Sequence, residues 1–281
     1  MSEAVAAASG MESAMSSEGP TMREPFRSQF VESVLRGAAS RDIHDSDGTG
    51  EYDAALSQGV SERFLQRELT RVEMHATSLC APLVRRLGAA TRILDAGCGT
   101  GGTTVALALS GLAPDEVVGI DASAEAVEAG RIRSLGYGLM PERARFEHVP
   151  AGQRLPFPDG HFDLVTCVSV LEFISTDAAR RAFVAELLRV TRSGGHVYLA
   201  TPNPLRMREY HSRRWLGDWR RKQGYPWSSS TAALKRMFAG CQVESMVRER
   251  LRLHPRYGRL AWAAPLAAIA SPWQRVLARK P

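Results

Sequence analysis

The run Ile93-Leu94-Asp95-Ala96-Gly97-Cys98-Gly99-Thr100-Gly101-Gly102 places the end of an apolar strand directly before a glycine-rich turn. Glycine reaches positive φ without a steric penalty and lets a ligand approach the backbone with no Cβ in the way. Residues Thr103 to Leu109 then read as a helix, so the run opens a strand–turn–helix unit built to bind something. Short apolar runs recur downstream at Glu116–Asp121, Phe162–Val168 and His196–Ala200, with Arg92–Asp95 as the first of the series. Between them, Ala124–Ser134 and Ala178–Val190 are further helix candidates. Continuous apolar strands alternating with helices predict a parallel sheet covered on both faces, hence a doubly wound α/β fold.

The glycines alone leave the ligand open. Gly97, Gly99 and Gly102 satisfy GxGxxG, so a nicotinamide or flavin dinucleotide is a rival. Asp95 discriminates, because a carboxylate two residues before the first glycine repels a pyrophosphate but pairs with a cationic amino group. S-adenosylmethionine carries such an ammonium and no phosphate. Read conservatively, Asp95 is a helix-capping or loop-stabilising acid. Asp121, ending the second strand, can accept hydrogen bonds from both ribose hydroxyls and suits either ligand.

These residues resemble the class I S-adenosylmethionine-dependent methyltransferase family, whose first motif is similar to Asp95–Gly101 and whose second acidic position matches Asp121. Leu155–Val165 is similar to the family's approach to its fourth strand, and Val190–Val197 to its entry into the fifth. Within the family the chain looks like small-molecule O-methyltransferases of the quinone- or polyketide-tailoring type. The resemblance implies a mostly parallel seven-stranded sheet with its last strand antiparallel, an N-terminal helical lid and a cap inserted after strand five. It implies S-adenosylmethionine as cofactor, held by Asp95, Gly97, Gly99, Gly101, Asp121, Ala122, Ala151, Gly152 and Ser169. One position departs from the pattern: many relatives place an adenine-binding Asp where Ala151 stands, which moves adenine recognition onto backbone atoms and onto Gly152 or Gln153.

At 281 residues the chain accommodates one catalytic domain with additions. The expected division is a disordered leader over 1–22, a helical lid over 23–84 and a catalytic domain over 85–281 with its cap at about 204–229. In the lid, Glu24–Ser40 and Ser61–Leu87 carry helical periodicity, joined by the turn-rich Asp45–Gly50. Beyond the cap a helix is expected over Ser230–Phe238, then β-rich pieces near Val243–Leu253 and Arg275–Ala278. With 44% hydrophobic and 23% charged residues, the composition excludes wholesale disorder and a membrane bundle. The leader lacks the pattern of a signal peptide, and Cys80, Cys98, Cys167 and Cys241 form no CxxC pair or metal cluster, which fits a reducing, cytoplasmic setting.

The acceptor is less legible. After the fourth strand the chain reads Ser169-Val170-Leu171-Glu172-Phe173, without the Asn/Asp-Pro-Pro-aromatic turn of enzymes that methylate amino groups on nucleic-acid bases. His211, in the stretch after the fifth strand, is the candidate catalytic base, since a neutral imidazole covering the pocket can take a hydroxyl proton; a surface histidine is the bland reading. The same stretch interleaves Arg206, Arg208, Arg213, Arg214, Arg220, Arg221 and Lys222 with Trp215, Trp219 and Trp227. That pattern fits single-stranded nucleic acid or an amphipathic cap, and the cap reading is preferred because no nucleic-acid-binding domain is appended. The apolar Leu260–Trp273 segment, interrupted by Pro265, falls short of the roughly 20 residues a span needs. It reads as a loop over the sheet edge or a dimer contact in preference to a membrane-surface contact. The expected function is therefore methyl transfer to a hydroxyl or enol of a small hydrophobic metabolite, with no metal and no nucleic-acid partner. Methylation at nitrogen or carbon, an RNA methyltransferase, a nicotinamide-dependent oxidoreductase and a non-catalytic cofactor-binding regulator are the alternatives.

Overall fold

The computed structural model describes residues 21–40, 62–112, 114–203, 231–253, 256, 258–264, 271 and 273–281. Most of the expected leader, the cap and His211 lie outside these residues. In chain order the elements are α1 (Phe26–Ser40), α2 (Glu62–Leu69), α3 (Arg71–His75), a π-helical turn (Ala76–Cys80), α4 (Ala81–Leu87), β1 (Arg92–Ala96) and α5 (Gly102–Ala108). They continue with β2 (Glu116–Asp121), α6 (Ala124–Gly136), β3 (Ala144–His148), β4 (Phe162–Val168), a 3-10 turn (Leu171–Phe173), α7 (Asp177–Val190) and β5 (Thr191–Pro202). Last come α8 (Thr231–Met237), β6 (Gln242–Ser245), α9 (Val247–Leu253), a 3-10 turn (Gly258–Ala263) and β7 (Trp273–Arg279).

The strands form one sheet in the order β3-β2-β1-β4-β5-β7-β6. Neighbours from β3 to β5 are parallel, while β7 runs antiparallel to both β5 and β6. The strand order reverses direction between β1 and β4, and a crevice opens outside the carboxyl ends of the strands at such a point. Alternation along the apolar strands divides the core in two. Ile93, Val117, Leu164, Tyr198 and Leu277 face one layer with Leu83, Val105 and Leu107. Leu94, Val118, Val165, Leu199 and Val276 face the other with Val184, Leu187, Leu234 and Phe238. This two-sided burial is why the strands read as unbroken apolar runs.

Three expectations need correction. The stretch Ser61–Leu87 is not one helix: the π turn at Ala76–Cys80 interrupts it just before Pro82, whose ring nitrogen cannot continue the hydrogen-bond ladder. It does end at Gly88 with φ +80. The expected β-rich piece at Val243–Leu253 pairs as a strand only through Ser245, and Val247–Leu253 is a helix steadied by an Arg252–Glu249 bond of 2.7 Å. A short alternation of Val, Leu, Arg and Glu fits both periods, and the tertiary setting decides. The third is strand five, which is longer than the apolar run His196–Ala200 because Thr191–Gly195 also extends along the sheet.

The N-terminal helices pack onto the sheet's first half. Met22, Phe30 and Val34 bury against Ala129 of α6, and the Arg23 N–H donates to the Gly136 carbonyl at 2.9 Å. Met22, at the end of the expected leader, is thus part of the core. No described helix is long and apolar enough to cross a membrane.

Candidate active site

All nine residues expected to hold the cofactor lie at or just past the carboxyl ends of β1 to β4, around the crevice. Gly97, Gly99 and Gly101 adopt φ of +78°, +52° and +79°. The turn is pinned from one side by the Ile120 carbonyl, which accepts from the N–H groups of Gly97 (2.8 Å) and Cys98 (2.9 Å). A Cβ at Gly97 would collide with Val170, so the segment after β4 closes directly on the turn. Nothing lies within 4 Å of the position a Gly99 side chain would take, leaving that face open to a ligand.

Asp121 braces the turn from the second strand. Its Oδ2 accepts from the Gly99 N–H at 2.8 Å and its Oδ1 from the Ser123 N–H at 2.9 Å. Ser123 in turn caps α6 by accepting from the Ala126 N–H at 3.1 Å. The Ala122 carbonyl lies 3.0 Å from His148 Nε2, and the Val149 N–H donates to the Asp121 carbonyl at 2.9 Å. Those two contacts hold the loops after β2 and β3 side by side. Ala151 and Gly152 are exposed on the second of them, Gly152 at φ +78 with open space around it.

Asp95 is positioned otherwise than a carboxylate open to a cation. It is 1% exposed beneath the turn, with Oδ1 accepting from the Thr166 hydroxyl and Oδ2 from the Thr104 hydroxyl, each at 2.8 Å. Burial raises its pKa to about 6, against the opposing effect of the two hydroxyls. Its visible contacts therefore tie β1, β4 and α5 together below the glycines.

Ser169 has φ +60, a conformation few residues other than glycine adopt, and is held by its N–H to the Ala200 carbonyl at 3.0 Å. Backbone strain of this kind persists where surrounding structure enforces it, and it concentrates at functional sites. Two further residues escaped the sequence reading. Glu172 is 3% exposed on the turn after β4, and its Oε2 accepts from the Thr201 hydroxyl at 3.2 Å. Glu68, equally buried on α2, accepts from the Thr100 hydroxyl of the glycine turn at 2.6 Å. The readable signal in both is an acid inside an apolar pattern: Leu65, Glu68, Leu69 and Val72 recur at helical spacing in the sequence, and Glu172 sits between Leu171 and Phe173.

The turn's rigidity is testable. A Cβ at Gly101 would meet Phe146 Cε1 at 2.8 Å and Gly130 Cα at 2.9 Å. With the unfavourable φ added, Gly101→Ala is expected to cost about 2 kcal/mol, read as a lower urea midpoint. An unchanged midpoint would show that packing does not fix the turn.

Against known proteins, residues 93–195 match the sequence pattern described as a methyltransferase domain. Among curated relatives, a ubiquinone biosynthesis O-methyltransferase of Aromatoleum aromaticum is 33% identical over 115 residues, 41% of this chain and 45% of that protein. A demethylmenaquinone methyltransferase of Clavibacter sepedonicus is 38% identical over 126 residues, covering 43% and 47% of the two chains. The aligned part thus spans less than half of these relatives' length. Among solved structures, the plantazolicin methyltransferase in complex with SAH superposes with a TM-score of 0.56 at 14% identity, covering 91% of this chain and 99% of that one. The magnesium protoporphyrin IX methyltransferase of Synechocystis, with bound SAM, gives 0.52 at 15% identity, covering 87% and 97%. At such identities the superpositions speak for the fold.

Proposed function

We propose, from the premise that residues 93–195 form a class I S-adenosylmethionine-dependent methyltransferase domain, that the chain transfers a methyl group to a hydroxyl or enol of a small hydrophobic metabolite of the quinone-like or polyketide-like kind. The observation that carries the methyl-donor side is the Asp121–Gly99 bond. In a dinucleotide fold the backbone N–H groups of this turn face a pyrophosphate. Here the Gly99 N–H is already given to a carboxylate, and the turn presents negative charge, which disfavours phosphate and suits an uncharged ribose and a cationic amino acid end. The open face at Gly99 leaves room for that group.

S-adenosylmethionine, when bound, supplies an electrophilic methyl on a sulfonium. The chain's own residues then have three tasks. Asp121 accepts from the ribose hydroxyls, and Ala122, Ala151 and Gly152 flank the adenine. Gly97, Gly99 and Gly101 let the amino acid end lie against the backbone, while Asp95 contributes negative charge from beneath the turn. Ser169 and the segment after β4, which closes on the turn at Gly97, bound the cofactor on its other side, so that reaction depends on alignment and exclusion of water. The name of the ubiquinone-biosynthesis relative supports an oxygen acceptor, while that of the demethylmenaquinone methyltransferase supports a quinone-like substrate without naming oxygen.

The test is incorporation of labelled methyl from S-adenosylmethionine into a panel of catechols and hydroquinones, set beside mixed RNA. Label in a hydroxylated ring compound supports the reading, and label confined to RNA overturns it. If His211 is the general base, His211→Ala lowers turnover about a hundredfold or more with S-adenosylhomocysteine affinity unchanged. Full turnover in that variant removes His211 from the mechanism.

A further inference from the structure

We propose that Glu68 is a positioning residue for the cofactor turn: by holding the Thr100 hydroxyl it latches the N-terminal helices to the glycine loop and couples their order to cofactor binding. This rests on the methyl-donor reading of the loop.

The latch is a buried charge cluster that spans three separate parts of the chain. Glu68 on α2 accepts from the Thr100 hydroxyl at 2.6 Å through Oε2, and its Oε1 pairs with Arg71 Nε at 2.6 Å. Arg133 of α6 is fully buried and donates from Nη2 to the Glu68 carbonyl at 2.7 Å and to Oε2 at 3.3 Å. The Arg133 guanidinium also lies 4.3 Å from the centre of the Phe30 ring of α1, a cation–π contact. One carboxylate and one guanidinium thus join α1, α2, α6 and the glycine turn.

The arrangement is costly as pure scaffolding. Arg133 Nε and Nη1 are buried without an acceptor among the described residues, and a buried arginine with two idle donors is worse for stability than an apolar side chain. Burial also works against the Glu68 carboxylate, but Arg71, Arg133 and Thr100 outweigh it and keep the pKa below the ordinary range. The cluster presses on the start of α5 as well: a Cβ at Gly102 would come within 2.7 Å of both Arg133 Nη1 and Arg71 Cβ.

Thr100 is the point where this cluster meets the ligand-facing backbone. It lies between Gly99 and Gly101, both at positive φ, in a segment whose glycines give it little stiffness of its own. Its hydroxyl reaches 32 residues back along the chain to Glu68. A ligand that orders residues 97–101 therefore orders α2, and by linkage an ordered α2 raises affinity for that ligand.

The experiment measures S-adenosylhomocysteine affinity by calorimetry and amide hydrogen exchange over residues 62–75, with and without that ligand, in wild type, Thr100→Val and Thr100→Ser. The wild type and Thr100→Ser, which keeps the hydroxyl, are expected to bind alike and to show slowed exchange over 62–75 on binding. Thr100→Val is expected to bind about tenfold more weakly and to lose the ligand-dependent protection of 62–75 while keeping it at the loop. Wild-type affinity in Thr100→Val, or protection of 62–75 that survives the substitution, overturns the latch and leaves the cofactor assignment standing. Absence of binding to the wild type overturns both.

Discussion

Asp121→Ala is expected to weaken S-adenosylhomocysteine binding by about a hundredfold, since two hydrogen bonds to a charged group are worth roughly 3 kcal/mol together. The loss has two parts. On the proposed reading the ribose loses its acceptor, and the glycine turn loses the carboxylate that accepts from Gly99 and Ser123. Asp121→Asn separates them, because one amide oxygen can still accept from a backbone N–H while the charge is gone; it should fall between wild type and alanine. A calorimetric titration reads all three. Binding that survives Asp121→Ala within about twofold, a change of only roughly 0.4 kcal/mol, would place the ribose elsewhere.

The second large effect concerns pH. Burial raises the Glu172 pKa to about 8, outweighing the hydroxyls of Thr201 and Ser169 and the backbone contact that favour the ionised form. The Oε1 atom is buried without a donor among the described residues. In the unfolded chain this carboxyl titrates near 4.5. Between 4.5 and 8 the folded protein keeps a proton that the unfolded chain gives up, so this group's contribution to stability is full below 4.5 and declines as pH rises through 8. Glu172→Gln removes that slope. Relative to the variant, the wild-type melting temperature should fall by about 5 °C or more from pH 5 to pH 8, the shift expected from roughly 2 kcal/mol in a chain of this size. Parallel melting profiles across that range would mean that the carboxyl is ionised in the folded state. The residue stands where β4 and β5 end, close to Ser169, so the same titration changes the charge at that end of the sheet.

The glycine turn and the strands beside it are legible in the sequence because they are built from local runs. Ile93 to Gly102 is a strand, a turn and a helix start in ten consecutive residues, and the strands Glu116–Asp121 and Phe162–Val168 have the bounds their apolar runs indicate. What the sequence concealed is tertiary. The direction of the Asp95 carboxylate depends on Thr104 and Thr166, the second lying 71 residues away. The Glu68–Arg133 contact joins positions 65 apart, and no local period encodes it. Val247–Leu253, a helix in the structure, has a strand-like sequence because seven residues hold too few turns for the helical period to show. Even so, Glu68 and Glu172 left a trace, each being an acid where the surrounding pattern calls for an apolar side chain.

Fold and glycine turn together favour a methyl donor over a dinucleotide in the crevice between β1 and β4. Calorimetric titration of the wild-type protein with S-adenosylhomocysteine and, separately, with NADH tests this most directly. Saturable one-site binding of S-adenosylhomocysteine and none of NADH is the expected result; binding of NADH, or no binding of S-adenosylhomocysteine, overturns the methyl-donor assignment.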